Sequence, residues 1–153
     1  ARLGVNNVVV QIDIVDNSII TNSGGLERDG LAFEHLAGLY GAGMWVKCSY
    51  NTAGGVHGLG GTPLRANYPG GAYDEDNPWY YDATHDIFRK NRPKDKNGEV
   101  CASWTLNTTK GYWECPLTRP EETRDEIIAG KLYRWDESVY QADNSKGWIL
   151  ENA

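Results

Sequence analysis

The stretch from Asp29 to Tyr50, DGLAFEHLAGLYGAGMWVKCSY, constrains the fold more than any other part of the chain. Its apolar positions Leu31, Ala32, Leu36, Leu39 and Tyr40 fall near one face at helical spacing, which predicts an amphipathic helix from Asp29 to Tyr40. Gly41-Ala42-Gly43 stops that helix, and Met44-Trp45-Val46-Lys47-Cys48 has the β-branched and aromatic content of a strand. A helix this short does not hold its shape alone in water. Its stripe must be buried against a sheet that includes the Trp45 strand.

Other segments supply the rest of that sheet. Asn7–Val15 alternates, with Val8, Val10, Ile12 and Ile14 on one face and Val9, Gln11, Asp13 and Val15 on the other, and Ile19-Ile20-Thr21 reads as its extension. Residues 101–115 read as a hairpin turning at Asn107-Thr108-Thr109-Lys110-Gly111. Tyr133–Tyr140 and Gly147–Glu151 read as two further strands. A short helix is predicted around Asp82–Lys90, and another after Thr118, with Pro120 in its first turn and Glu121 and Glu122 at the positive end of its dipole. Between Tyr50 and Trp79 lies a 28-residue stretch, Asn51–Pro78, with seven glycines, three prolines and no period. Aromatic groups in and beside it predict an ordered, irregular loop. The expected fold is α+β: a single domain over residues 1–153, built as a two-layer sandwich. A mainly antiparallel sheet carries two to three helices on one face, with the long irregular loop outside it.

Charge narrows the partners. A net charge of −6 and a pI near 5.0 argue against a nucleic-acid surface, which needs a basic stripe to displace counterions from phosphates. No apolar run approaches the roughly 18 residues needed to span a bilayer. Val56–Gly61 resembles a phosphate loop only in its glycines, since no Lys-Ser/Thr follows, and the cysteines show no metal-ligand spacing, so no cofactor or metal is expected. The partner expected is an extracellular protein or carbohydrate.

Several features set an expectation of secretion. The chain begins Ala1-Arg2, as a processed chain would, and contains 18 Gly, 6 Trp and 9 Tyr beside 1 Met and 2 Phe. Asn107-Thr108-Thr109 is an N-glycosylation sequon at a hairpin turn. If Leu106 faces Tyr112 in that hairpin, Cys115 lies about two residues from being opposite Cys101, which predicts a Cys101–Cys115 disulfide with Cys48 reduced. The alternative is three free core thiols in a reducing compartment.

Asp74–Asp82, DEDNPWYYD, concentrates acidic and aromatic groups as no other segment does. It can be read as oxygen ligands for Ca2+, although the regular loop spacing is missing. It can also be read as a turn whose rings belong to the core, or as an aromatic platform for a sugar or protein. The platform reading assigns binding to Tyr68, Tyr73, Trp79, Tyr80, Tyr81 and Asp82. A hydrolase reading uses Asp74, Asp76 and Asp82 beside Trp79 for a polysaccharide, or His57 with Glu34 or His85 for RNA. Glu34-His35 and His85-Asp86 are sequence neighbours, and on a helix neighbouring side chains diverge too far to form a site.

The run Leu39-Tyr40-Gly41-Ala42-Gly43-Met44-Trp45-Val46 is similar to the helix and Gly-x-Trp strand of fungal secreted necrosis-inducing effectors and related killer-toxin-like α/β sandwiches. Val100-Cys101-Ala102-Ser103-Trp104 resembles their Cys-Ala-Phe strand, and Asp125–Ile128 and Lys146-Gly147-Trp148 follow in the same order. The resemblance covers about half of the chain. It departs where Gly30 follows Asp29 in place of a helix cysteine, and in the last strand, which has no cysteine. It implies a secreted effector or toxin-like protein with a virulence role, acting by binding an extracellular target without catalysis. The alternative is a small secreted hydrolase.

Overall fold

In the computed structural model, which describes residues 1–70 and 74–153, the chain starts in β1 (Arg2–Leu3) and turns through a 3₁₀ segment, Val5–Asn7, into β2 (Val9–Gln11). The strand expected from Asn7 begins later, because Asn6 and Asn7 take left-handed backbone angles (φ 56° and 59°) to make the turn. Ile19-Ile20 is not extended: α1 (Asn17–Ile20) forms there, with the Asp16 carboxylate accepting from the Ser18 amide at 2.8 Å. The predicted helix is present with its expected bounds as α2 (Asp29–Tyr40), and Gly41 (φ 75°) ends it by donating to the Ala37 carbonyl at 2.9 Å. β3 (Met44–Trp45) then pairs with β1, giving a three-stranded antiparallel sheet in the order β2-β1-β3.

The long loop contains regular structure of its own. β4 (Thr52–Ala53) and β5 (Val56–His57) form a hairpin around Gly54-Gly55, both at positive φ (56° and 77°), as a two-residue turn of this twist requires. Asn67 ties the excursion down. Its Oδ1 accepts from the Gly54 amide at 2.9 Å, and its Nδ2 lies 3.0 Å from the carbonyls of Phe88 and Lys110.

The segment expected as a helix near Asp82–Lys90 is a hairpin, β6 (Tyr80–Asp82) with β7 (Ile87–Arg89). The Asp82 carboxylate accepts from the amides of Thr84 and His85 and faces Arg89 Nε at 3.0 Å, so its side chain builds a turn and clasps the two strands. The hairpin also sets Tyr81 opposite Phe88, whose side chain is fully buried. Ala1, Leu3, Val9, Val46 and Phe88 form a core cluster, with Ile12, Cys48, Trp79 and Tyr81 packed against it.

β8 (Thr105–Asn107) and β9 (Tyr112–Glu114) form the expected hairpin. α3 (Arg124–Ile128) starts later than its sequence signals suggest. Thr123 is the cap, accepting from the Glu126 amide while the Glu126 carboxylate accepts from the Thr123 amide at 2.7 Å. β10 (Lys131–Trp135) pairs along its length with β11 (Trp148–Asn152). The strand predicted to reach Tyr140 ends at Trp135, because Asp136 caps α4 (Glu137–Ala142) by accepting from the Val139 amide at 3.1 Å. Trp135 is buried and packs edge-on against Trp104 and Trp148, with Tyr140 tilted beside it.

The fold is therefore α+β, with small antiparallel sheets and no barrel among the described residues. Length predicts one domain. The chain clusters into two compact units, residues 1–91 with 108–112, and residues 92–107 with 113–153. No helix of the described residues is long and apolar enough to cross a membrane. The disulfide expectation is corrected: Cys48, Cys101 and Cys115 are all free thiols. Cys101 is buried, and burial, with the nearby carboxylates adding, pushes its thiol up to about 11.

Candidate functional site

The first unit holds a cavity of about 370 Å3. One wall is the segment after β2, Ile12 to Val15; a second comes from α1 and α2; a third is Trp45 to Asn51, and Ala1, Glu27, Leu64 and Tyr68 also line the cavity. Its apolar surface comes from Ile20, Phe33, Leu36 and Trp45, among others. Leu36 and Trp45 are buried on the elements that the helix, glycine break and strand pattern places side by side. Phe33, one turn before Leu36 on α2, is 39 % exposed, so the cavity opens to solvent along this face.

Charge in the lining is unbalanced. Asp13, Glu27 and Asp29 are acidic, and Lys47 is the basic side chain among them. Lys47 Nζ lies 2.6 Å from Glu27 Oε2 and 3.4 Å from Asp29 Oδ1, so one ammonium is shared by two carboxylates. The hydrogen bond to Glu27 raises the Lys47 pKa, with Asp29 adding to it against a smaller opposing effect of burial. Asp13 accepts from Gln11 Nε2 at 3.2 Å, and its hydrogen bond with Tyr40 raises that phenol. The Ala1 amine, also in the lining, donates to the Val46 carbonyl at 2.8 Å and lies 3.7 Å from Cys48 Sγ. Burial holds its pKa below the ordinary value. Burial, with Cys48 nearby, raises the Tyr68 phenol. Arg65 Nη1 holds the Lys47 carbonyl at 2.9 Å and fixes this wall.

Of the residues singled out from sequence, Tyr68 lines the cavity. Trp79 and Tyr81 pack against the core cluster, Lys90 Nζ sits 4.9 Å above the Trp79 ring, and Tyr81 Oη donates to Asp86 at 2.6 Å. Tyr80 accepts from Asn91 Nδ2 at 3.0 Å. Tyr73 lies outside the described residues.

Of the residues of the hydrolase reading, His57, Asp74 and Asp82 accept from nearby backbone amides. Asp74 accepts from the amides of Asp76 and Asn77, and His57 Nδ1 accepts from the amides of Leu59 and Gly61. Glu34 and Asp76 are exposed. His85 Nδ1 pairs with Asp82 Oδ1 at 3.2 Å. Burial would raise the Asp82 pKa, but hydrogen bonds from Arg89 and His85 outweigh it and hold the carboxyl below its usual range. Among the described residues no group of three or more His, Cys, Asp or Glu is placed to hold a metal ion.

Sequence reasoning missed Asp13, Glu27, Asp29 and Lys47. For Asp13 a signal existed, an acid inside the alternating apolar run of residues 7–15. Glu27, Asp29 and Lys47 meet only through the tertiary fold, because Lys47 lies 20 residues from Glu27. Comparison with known proteins finds no matching family model, curated protein or solved structure.

Proposed function

We propose that the chain is a secreted, effector-like or toxin-like binding protein that engages its extracellular target through the cavity beside α2. The observation that supports this most directly is the lining itself. A concave, mainly apolar surface with a few placed charged groups is the usual form of a ligand site. In this reading the Asn107 sequon carries a glycan, and the chain is a two-layer sandwich with its helices on one face of the sheet.

Filling the cavity tests the proposal. Ala32 lies half-buried in the lining on α2, and Ala32→Phe places a ring into the space while keeping an apolar surface. Recombinant wild-type protein applied to host and competitor cells should give a growth or defence response. Ala32→Phe should reduce it at least tenfold while melting cooperatively near the wild-type temperature. A folded Ala32→Phe protein with full activity would sink the cavity as the site.

The Asp82–His85 pair gives the hydrolase reading its one specific observation, a carboxylate and an imidazole in contact on a turn. The same preparations should be assayed on polysaccharide and RNA. Turnover lost in His85→Ala and kept in Ala32→Phe would replace the binding reading with this one.

A further inference from the structure

We propose that the ligand of this cavity is an organic cation, an apolar aromatic or aliphatic body carrying an ammonium group. This rests on the cavity being the binding site and names the chemistry it selects.

The charge inventory of the lining leads to this class. Glu27 and Asp29 share the single ammonium of Lys47, leaving a deficit of positive charge on that side. Asp13, on the segment after β2, is met by the neutral donors Gln11 and Tyr40, and the Ala1 amine interacts with it by charge without a hydrogen bond between them. Among the described residues that line the cavity, the cationic groups are Lys47 and the Ala1 amine. The amine is already committed to the Val46 carbonyl, and its burial disfavours the charged form. Among the described residues the hydrogen bonds to Asp13 come from neutral donors, and a carboxylate held that way beside apolar surface gains from a charged donor, because charge-assisted hydrogen bonds are about twice as strong as neutral ones.

The apolar side of the cavity sets the other half of the ligand. Phe33, Trp45 and Tyr68 offer ring surface in the same cavity. A ring or short alkyl chain placed there would leave its ammonium within the acidic rim, and aromatic faces themselves attract cations. An anionic ligand of the same shape would meet a lining in which three carboxylates face one side-chain ammonium, so the site disfavours it by repulsion. The overall charge of −6 draws in cations by the same sign of field.

Three ligands of one shape separate this proposal from the reading beneath it: phenylpropylamine, phenylpropanol and phenylpropionate, each titrated by calorimetry into the full chain at low and high salt. The amine should bind about tenfold more tightly than the alcohol, the carboxylate most weakly, and the advantage of the amine should shrink with added salt. Asp13→Asn should bring the amine down to the affinity of the alcohol and leave the alcohol unchanged. If Asp13→Asn does not fold, Glu27→Gln lowers the acidic surplus of the lining by one, leaving Lys47 paired with Asp29, and should narrow the advantage of the amine over the alcohol; an unchanged advantage counts against the cation assignment. An alcohol or carboxylate that binds as tightly as the amine overturns the cation assignment while the cavity remains a binding site. Absence of binding by all three at millimolar concentration overturns both.

Discussion

Glu137 shows how a single residue organises its surroundings. It is 6 % exposed, yet its carboxylate is fully engaged: it accepts from Ser103 N and Oγ, from Trp135 Nε1 and from Gln141 Nε2, all between 2.8 and 2.9 Å. Burial alone would raise its pKa, but these donors outweigh burial and hold it below the ordinary glutamate range. A depressed pKa gives stability that is present above the unfolded value, about 4.3, and is lost as pH falls through the folded one. Glu137→Gln keeps the shape and removes the charge. It should cost about 2 kcal/mol at neutral pH and flatten the acid limb of the stability profile, as read by urea denaturation from neutral pH down to about pH 3. A variant with an unchanged acid limb would show that the carboxylate does not carry this dependence.

Between elements, Asn67 does the equivalent work. It joins the Gly54 turn, the carbonyl of Phe88 in β7 and the carbonyls of Lys110 and Gly111, while itself buried. Gly111 permits this meeting, because a Cβ there would fall 2.3 Å from Asn67 Nδ2 at a positive φ of 70°. Asn67→Ala removes the acceptor of the Gly54 amide and the donor shared by three carbonyls, and should destabilise the chain by about 3 kcal/mol in chemical denaturation. Asn67→Asp should be equally harmful, since it sets a carboxylate against carbonyl oxygens. A loss below about 1 kcal/mol for both would show that these elements hold together without Asn67.

At the scale of the whole molecule, no covalent cross-link stabilises the structure, and stability rests on the buried apolar groups and the hydrogen-bonded polar ones. The melting temperature should be the same with and without a thiol reductant. Denatured protein should titrate three thiols, while native Cys101, 1 % exposed with its thiol held up near 11, should resist alkylation at neutral pH. Recovery of a Cys101–Cys115 linked peptide would contradict the free thiols.

What the sequence determined by itself was local and strongly patterned. α2 begins and ends where its stripe and Gly41 place it, and the hairpin at residues 101–115 turns where Asn107–Gly111 places it, because spacing and turn chemistry act over a few residues. The tertiary structure decided the rest. Asp82–Lys90 has the length of a short helix, but as a hairpin it buries Ile87 and Phe88 and engages Asp82 with Arg89. Its strands were chosen by packing that sequence spacing does not express. The candidate site follows the same rule. Tyr68 was legible as an aromatic on an unusually long loop, whereas Asp13, Glu27, Asp29 and Lys47 belong to segments that meet only after α1, α2 and β3 have packed. An acidic surplus beside an apolar cavity is a property of that meeting in space.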